Sequence, residues 1–563
     1  MRLAWRERLR DPRAFVLVGL AVAIAVGCTW GLPNSTSWVA DSISPRSCGL
    51  GAVVENFIPG HFQHYPPLHM AILTIFSLPW MAAAASKTGM HVDALGLELI
   101  KPFYMTGIEA SARVVAAVMA LGITWNTMRL WRRISGERAS IVAGLVVATN
   151  AAFVFYAHTG NLEVPYLFWI TWALVELDRV ATGEARERQV LLLAVAAALT
   201  KDQAAGALLL PIPIYVVLVP WLTQRTPIVR KSLVIAALTA IAAYGFGSGA
   251  FLNPSGFHKR VQMMLGPAAH TWAAYPSDFD GNVALARDTL KATTEFTSWP
   301  IALGAAIGVG LTLGLQRGLA RWRMLLPLVA AISFSIFFNF SARRTDTRFL
   351  LPQSILFFPY VAVAFEWLWN WKAWSWRPSG RRLLVVWLLV AFAPAVIGVA
   401  SMDATLLADP RYEAERFLAA LPTTTRLEMY GGPIFLPRVP PVLAAVRPGT
   451  DPIDERQQIL GVEDIVDPTM DPRLRNPDVI VLATELSSVG MTEPAGPHPY
   501  GIMQYRDPVS RAFLRGLLDG SLGYRRALRA TCALPWPLEC RSIHYSTAGE
   551  MWIYVRASGG RSR

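Results

Sequence analysis

The residues that could carry chemistry stand in short turns between long apolar segments. Asp41 follows the first apolar segment, and Glu163 and Lys201 lie in two later turns, TGNLEVP and LTKDQ. An ionisable group held beside a bilayer is costly, so it is a functional candidate by default. A carboxylate can act as a general base, and Lys or Arg can bind a phosphate. The ordinary alternative for Asp41 is that it caps a helix that begins near SISP.

Further charged or polar candidates occupy the same kind of turn or the first residues of the next segment. They are His64, Tyr65, Glu109, Arg113, Asn161, Asp202, His258, Arg343, Arg344 and Arg348. Each has a structural alternative: Lys201 or Arg348 would be snorkelling side chains, and Glu109 with Arg113 a structural pair on one helical face. His61 and His64 have metal-ligand spacing only on a helix, which the prolines after them oppose, so they are not expected to be metal ligands. No obligatory metal is expected, because Lys and Arg can bind a phosphate without one.

The composition defines the elements that must position these groups. Apolar residues make up 53% of the 563 residues and charged residues 16%, with 20 Trp, which is typical of a membrane protein. The net charge of +13 comes from basic clusters between apolar segments, a topology signal. No nucleic-acid partner is therefore expected. The apolar run after the basic N-terminus, Ala14 to Thr29, is predicted to be an uncleaved first span with its N-terminus in the cytoplasm.

Apolar length predicts a mainly α, polytopic membrane domain over residues 1–400, with about eleven transmembrane helices. After the first span, the others are placed near 106–128, 139–157, 164–178, 188–200, 204–222, 232–250, 300–315, 324–340, 349–366 and 383–400. The segment Leu68 to Ser86 is predicted to lie along the outer face, because a crossing there would put five later basic clusters outside. The first outer loop is then 32–105 and the long outer loop 251–299.

The composition changes after Ser401, and residues 401–563 become rich in Pro, Arg, Asp and Glu. The run DPRYEAERFLAAL predicts an amphipathic helix, and RLEMYGG, DVIVLATE and EMWIYVR predict short buried strands. We expect a small, soluble α/β domain there. The parity of the spans places it on the extracytoplasmic side, where a disulfide between Cys532 and Cys540 could persist.

Seven motifs in order resemble those of the GT-C superfamily of polyprenyl-phosphate-sugar-dependent glycosyltransferases. They are SWVADSIS, HYPPLH, EASARVV, RLWRR, TGNLEVPYLFW, LTKDQAAGALLLP and RRTDTRFLLPQ, and they cover about the first 365 residues. The set resembles family 39 most, the protein O-mannosyltransferase and lipid A aminoarabinose transferase type. The resemblance implies an inverting enzyme of the cell (inner) membrane, which moves a sugar from a polyprenyl-phosphate donor to a hydroxyl of a lipid, glycan or protein acceptor at the outer face.

The resemblance also implies roles for individual residues. Asp41 matches the catalytic carboxylate and Glu163 the second acidic position, where Asp is commoner in the family. Lys201 and Arg348 match positions at the donor phosphate, with Arg343 or Arg344 beside them, and no cofactor is implied. His64 stands where some relatives carry Lys.

Two other classes of function remain as alternatives. A transporter or flippase of lipid-linked sugars would also need charges at the outer face, but it would more naturally show broken helices near the middle of the bilayer. A non-catalytic membrane scaffold with a partner-binding outer domain leaves the ordered acidic and basic turns unexplained.

Overall fold

The fold of the chain is described from a computed structural model. It describes residues 11–34, 37–39, 41–45, 49–89, 91–224, 230–266, 273–371, 378–449, 459, 461–467, 469–483, 508–541, 543 and 549–557. The chain forms two compact units. The first comprises Met1–Cys28, Ser47–Leu78 and Ser111–Ala400, and the second comprises Thr29–Arg46, Pro79–Ala110 and Ser401–Arg563.

Helices dominate the chain up to Leu407. They are Pro12–Ala25, Leu50–Val54, Pro67–Thr88, Val92–Leu99, Pro102–Ser135, Glu137–Ala148, Ala151–Ala157, Glu163–Ala181, Glu187–Thr200, Val219–Gln224, Lys231–Gly247, Pro254–Leu265, Phe279–Thr294, Trp299–Leu315, Gly318–Phe334, Phe340–Ala342, Thr347–Phe357, Val361–Trp369 and Pro378–Leu407. Tighter 3-10 turns occupy Asp202–Ala207 and Phe358–Tyr360, and wider π turns occupy Pro213–Leu218 and Ser335–Asn339.

Five described helices are long and apolar enough to cross a membrane, or seven spans when each of two bent helix pairs counts as one. The chain is therefore a multi-pass membrane protein, as its composition predicted. Each predicted span overlaps a described helix, but several of these helices are short or interrupted, so the count of eleven stays a prediction. Helix Pro67–Thr88 has the length and composition to cross. Its predicted position along the outer face therefore still depends on the basic clusters alone.

The predicted long outer loop contains two amphipathic helices. Asn253 begins the first by accepting a hydrogen bond from the Gly256 N–H, and Asp278 begins the second by accepting one from the Gly281 N–H. Asn and Asp are favoured N-cap residues, so the sequence contained the signals for the starts of both helices. The described residues of this loop are thus largely helical, and they belong to the first unit.

A six-stranded sheet forms the core after Ser401, in the order β3-β2-β1-β4-β6-β5. The strands are β1 Arg426–Tyr430, β2 Ala444–Gly449, β3 Val462–Val466, β4 Val479–Ala483, β5 Tyr524–Thr531 and β6 Glu550–Arg556. The first four are parallel, and β6 pairs antiparallel with both β4 and β5. Helices Pro410–Ala419, Pro472–Arg475 and Pro508–Leu518 and a 3-10 turn at Pro433–Phe435 accompany the sheet.

The sheet confirms the predicted fold class, mainly α with a small C-terminal α/β domain. The three predicted strands are β1, β4 and β6, which form the buried centre and carry Met429, Val481 and Ile553 with no exposed surface. Asp409 caps the predicted helix by accepting from the Arg411 N–H. Cys532 and Cys540 form a disulfide.

Candidate functional site

An ion pair between Glu163 and Lys201 joins two of the predicted turns. Glu163 opens helix Glu163–Ala181, where its charge suits the positive end of the helix, and Lys201 directly follows helix Glu187–Thr200. Lys201 Nζ donates to Glu163 Oε1 at 2.6 Å, and the two side chains are only 8% and 2% exposed. Burying two charges has a large desolvation cost, so such a pair is weak evidence for stability and reasonable evidence for a functional site.

Aromatic rings surround the ammonium group of this pair. Lys201 Nζ lies 5.9 Å from the centre of the Tyr65 ring and 5.7 Å from that of the Tyr166 ring. Aromatic faces attract a cation and keep bulk water away. The structure thus brings together Tyr65, Glu163 and Lys201, three of the residues that the sequence selected.

The basic turn before helix Thr347–Phe357 adds a second cation. Arg344 and Arg348 are both buried, and their guanidinium carbons lie 4.8 Å and 4.5 Å from the centre of the Phe349 ring. Arg344 Nη2 pairs with Asp346 Oδ2 at 2.8 Å. Two guanidinium groups over one ring concentrate positive charge in a buried place, which is the environment that an anion such as phosphate needs.

Arg343 points elsewhere, although it precedes Arg344 directly. Its backbone is left-handed, with φ +53°. Its Nε donates to the Tyr275 carbonyl at 2.8 Å and its Nη2 to Asn282 Oδ1 at 3.0 Å. The side chain thereby holds the segment that leads into helix Phe279–Thr294. This observed role is structural, and its predicted role at a phosphate remains untested.

Asp202 belongs to a separate polar cluster with Arg260. Arg260 Nε lies 3.5 Å from Asp202 Oδ2, Tyr244 donates to Asp202 Oδ1 at 3.4 Å, and Arg260 Nη1 donates to Asn56 Oδ1 at 3.1 Å. Burial raises the pKa of Asp202 to about 6, against the lowering effects of Arg260 and Tyr244. Asp202 is thus a candidate proton carrier near neutral pH.

The sequence chose His258 from the HKR run of the long outer loop, but the structure turns a different residue inward. His258 is exposed on helix Pro254–Leu265, whereas Arg260 is buried. The amphipathic pattern of this helix could have identified Arg260, because His258 and Arg260 are two residues apart and therefore lie on different faces of the helix. Arg260 was not among the candidate residues that the sequence analysis selected.

The remaining predicted residues lie in varied settings. Asp41 is exposed and has a left-handed backbone, φ +58°, which is uncommon for a residue other than glycine and is enriched at functional sites. Glu109 and Arg113 are both buried on helix Pro102–Ser135, and Arg113 Nη1 donates to the Cys28 carbonyl at 2.8 Å. Asn161 is buried and His64 is exposed, with its ring 5.6 Å from that of Phe62. Asp41 and Glu109 belong to the second unit.

Histidine, cysteine and acidic side chains are the possible protein ligands of a metal ion. Across the described ranges, no three or more His, Cys, Asp or Glu side chains are grouped so that they could hold a metal ion.

Comparisons with known proteins give structural likenesses only. No family model and no curated protein sequence matches the chain. An Archaeoglobus fulgidus oligosaccharyltransferase in complex with Zn and sulfate has a TM-score of 0.46 at 11% identity, over 91% of this chain and 79% of that one. The Archaeoglobus fulgidus oligosaccharyltransferase AglB, with an inhibitory peptide and a dolichol-phosphate, gives 0.43 at 11% identity, over 97% and 89%.

ArnT from Cupriavidus metallidurans, bound to undecaprenyl phosphate, gives a TM-score of 0.42 at 13% identity, over 97% of this chain and 98% of that one. Likeness at this distance assigns no role to any residue of this chain.

Proposed function

We propose that this protein is an inverting glycosyltransferase that uses a sugar linked to a polyprenyl phosphate. The observation that carries the proposal is the buried Lys201–Glu163 pair, which two tyrosine rings surround. The buried Arg344 and Arg348 beside the Phe349 ring add two further cations. Phosphate is the ligand that Lys and Arg bind together most readily. A buried cationic site among apolar helices suits the phosphate of a lipid, since its prenyl chain can stay in the bilayer.

The proposed reaction is one displacement at the anomeric carbon of the donor. The acceptor hydroxyl oxygen forms the new bond to that carbon, and the bond from the carbon to the phosphate oxygen breaks with its electron pair on the phosphate. The hydroxyl proton passes to a carboxylate, for which Asp41 is the proposed base. Lys201, Arg344 and Arg348 stabilise the negative charge that develops on the leaving phosphate. One displacement inverts the configuration of the sugar carbon.

Glu163 is proposed to set the position of Lys201. The carboxylate holds the ammonium 2.6 Å away at the start of a helix, so the charge has a fixed place before the donor arrives. A preset charge costs no reorganisation during the reaction.

The proposed topology puts the N-terminus in the cytoplasm of a cell (inner) membrane, with residues 401–563 as an extracytoplasmic domain and residues 1–400 as the membrane domain. The basic clusters between spans support this orientation. The Cys532–Cys540 disulfide supports it independently, because disulfides persist in oxidising compartments.

The transporter alternative is weakened by the residues at the helix interruptions. The helix pair Glu137–Ala148 and Ala151–Ala157 bends by 67°, and three further interruptions fall at residues 213–218, 335–339 and 358–360. The residues at this first bend and at the three interruptions are uncharged: TN, PIYVVL, SIFFN and FPY. The second bent pair, Phe279–Thr294 and Trp299–Leu315, bends by 118° and carries one charged residue, Glu295, at its break. Glu163, Lys201 and Arg348 instead lie at or just beyond helix ends. Charges at helix ends favour chemistry at one membrane face over passage through the middle.

The test uses purified protein in proteoliposomes with a panel of polyprenyl-phosphate sugars. We expect the wild type to release free polyprenyl phosphate and Asp41→Asn to release little. Asp93→Asn is the matched control, since Asp93 is an exposed carboxylate of the same predicted outer loop. Equal release by wild type and Asp41→Asn would remove Asp41 as the base. No release by the wild type with any donor, in the presence of mixed acceptors, would contradict the enzyme itself.

A further inference from the structure

Trp536 is the most exposed of the large hydrophobic side chains that the structure describes, at 93%. It lies in the loop between Cys532 and Cys540, which the disulfide closes. Trp presents a large apolar ring with one polar N–H, so full exposure to water is unfavourable, and a boundary between apolar and wet surroundings suits it best. The ring is therefore accessible to a surface outside the folded domain.

The loop is fixed to the end of a helix with membrane-spanning composition. The Glu539 N–H donates to Ser401 Oγ at 3.2 Å, and the Arg541 N–H donates to Thr405 Oγ1 at 3.0 Å. Ser401 and Thr405 are one turn apart near the C-terminus of helix Pro378–Leu407, which supplies the most hydrophobic of the five candidate spans, with mean hydropathy 2.4. The loop thus lies beside the point where this helix leaves its apolar stretch.

The exposed apolar side chains of that helix continue up to the loop. Leu389 and Val390 are 67% and 62% exposed, and Leu407, the last helical residue, is still 59% exposed. Such a row on a span faces lipid. Because it reaches Leu407, the helix turn that binds the loop is at the level of the membrane boundary.

The strand that leads into the loop carries positive charge. β5 is one of the two edge strands of the sheet, and Arg525 and Arg526 are exposed on it, seven and six residues before Cys532. Exposed basic residues close to a bilayer are attracted to anionic lipid headgroups. Basic residues on a sheet edge also oppose edge-to-edge association, and this second effect does not require a membrane.

We propose that the Cys532–Cys540 loop is a membrane-docking loop. Trp536 lies in the headgroup layer of the leaflet at the Leu407 end of the helix, and Arg525 and Arg526 face anionic headgroups. The disulfide and the two hydrogen bonds to the helix hold the ring at this depth. The docking fixes the small α/β domain against the lipid surface, and it does not depend on the proposed glycosyl transfer.

The first test places a photoreactive residue, p-benzoylphenylalanine, at position 536 of the full chain in membranes. Val466 is the matched control site, because it is 59% exposed on β3, at the opposite edge of the sheet. Five strand spacings separate the two edges by about 24 Å. After irradiation, we expect phospholipid adducts at position 536 in at least about tenfold excess over position 466. Protein adducts at 536, no adducts, or equal lipid adducts at both sites would each overturn the proposal.

A second measurement does not require the photoreactive variant to fold. Tryptophan emission of the wild type and of Trp536→Phe is compared in vesicles whose lipids carry bromine near the headgroup or near the bilayer centre. The difference between the two proteins is the emission of Trp536. We expect headgroup-level bromine to quench most of this difference and central bromine to quench little. A difference emission that neither lipid quenches would show a ring in water or in a protein contact, and would refute the docking.

Discussion

The effect of the Lys201 charge on sugar transfer can be separated from its effect on stability. The two charges of the Lys201–Glu163 pair are removed singly and together. Lys201→Met leaves the Glu163 carboxylate in a site where it is 2% exposed, with one cation fewer. Glu163→Gln leaves the buried ammonium with one anion fewer. Breaking a buried ion pair from either side costs about 3–5 kcal/mol. Replacing both charges by neutral groups of similar size removes that penalty, so the double variant should unfold near the wild-type temperature or above it.

Sugar transfer by the double variant should not recover as its thermal stability does. If Lys201 stabilises the leaving phosphate, the double variant still lacks that charge, and its turnover should stay about 10²–10³ times lower, the loss seen when one donor to a developing anion is removed. The assay is release of polyprenyl phosphate in proteoliposomes, alongside thermal unfolding followed by tryptophan emission. A double variant that is stable and transfers within a fewfold of the wild type would refute the phosphate role. Single variants as stable as the wild type would refute the buried ion pair itself.

Three further predictions follow from single side chains. The Asp202 pKa is raised from 3.8 to about 6, which corresponds to about 3 kcal/mol. The folded state thus binds the extra proton, so stability should fall as pH rises from about 4 to 6, and unfolding of Asp202→Asn should lose this slope. Gly308→Ala would drive a methyl group into the Tyr360 carbonyl and should cost about 1–3 kcal/mol in thermal unfolding. Gly310→Ala, in open space on the same helix, should be neutral or stabilising by up to about 1 kcal/mol. Arg343→Gln should increase proteolysis within residues 273–294 while transfer falls less than about tenfold, because its guanidinium binds Tyr275 and Asn282.

Apolar length and helix-end chemistry made most of the helical architecture predictable. Glu163 marks a helix start and Lys201 follows a helix end, and both boundaries follow from charged residues that interrupt apolar runs. Their contact was not predictable from one sequence, because it depends on how two helices pack, and the partners are 38 positions apart in the sequence. The sequence could name both residues as candidates but not their pairing.

The misses have local physical causes. β2, with the sequence AAVRPG, carries an Arg, a Pro and a Gly, and β3 and β5 form the edges of the sheet with exposed residues. Such strands lack the apolar alternation that identified β1, β4 and β6. The consecutive Arg343 and Arg344 diverge because one left-handed residue redirects the chain, and a φ of +53° at an arginine has no sequence signature.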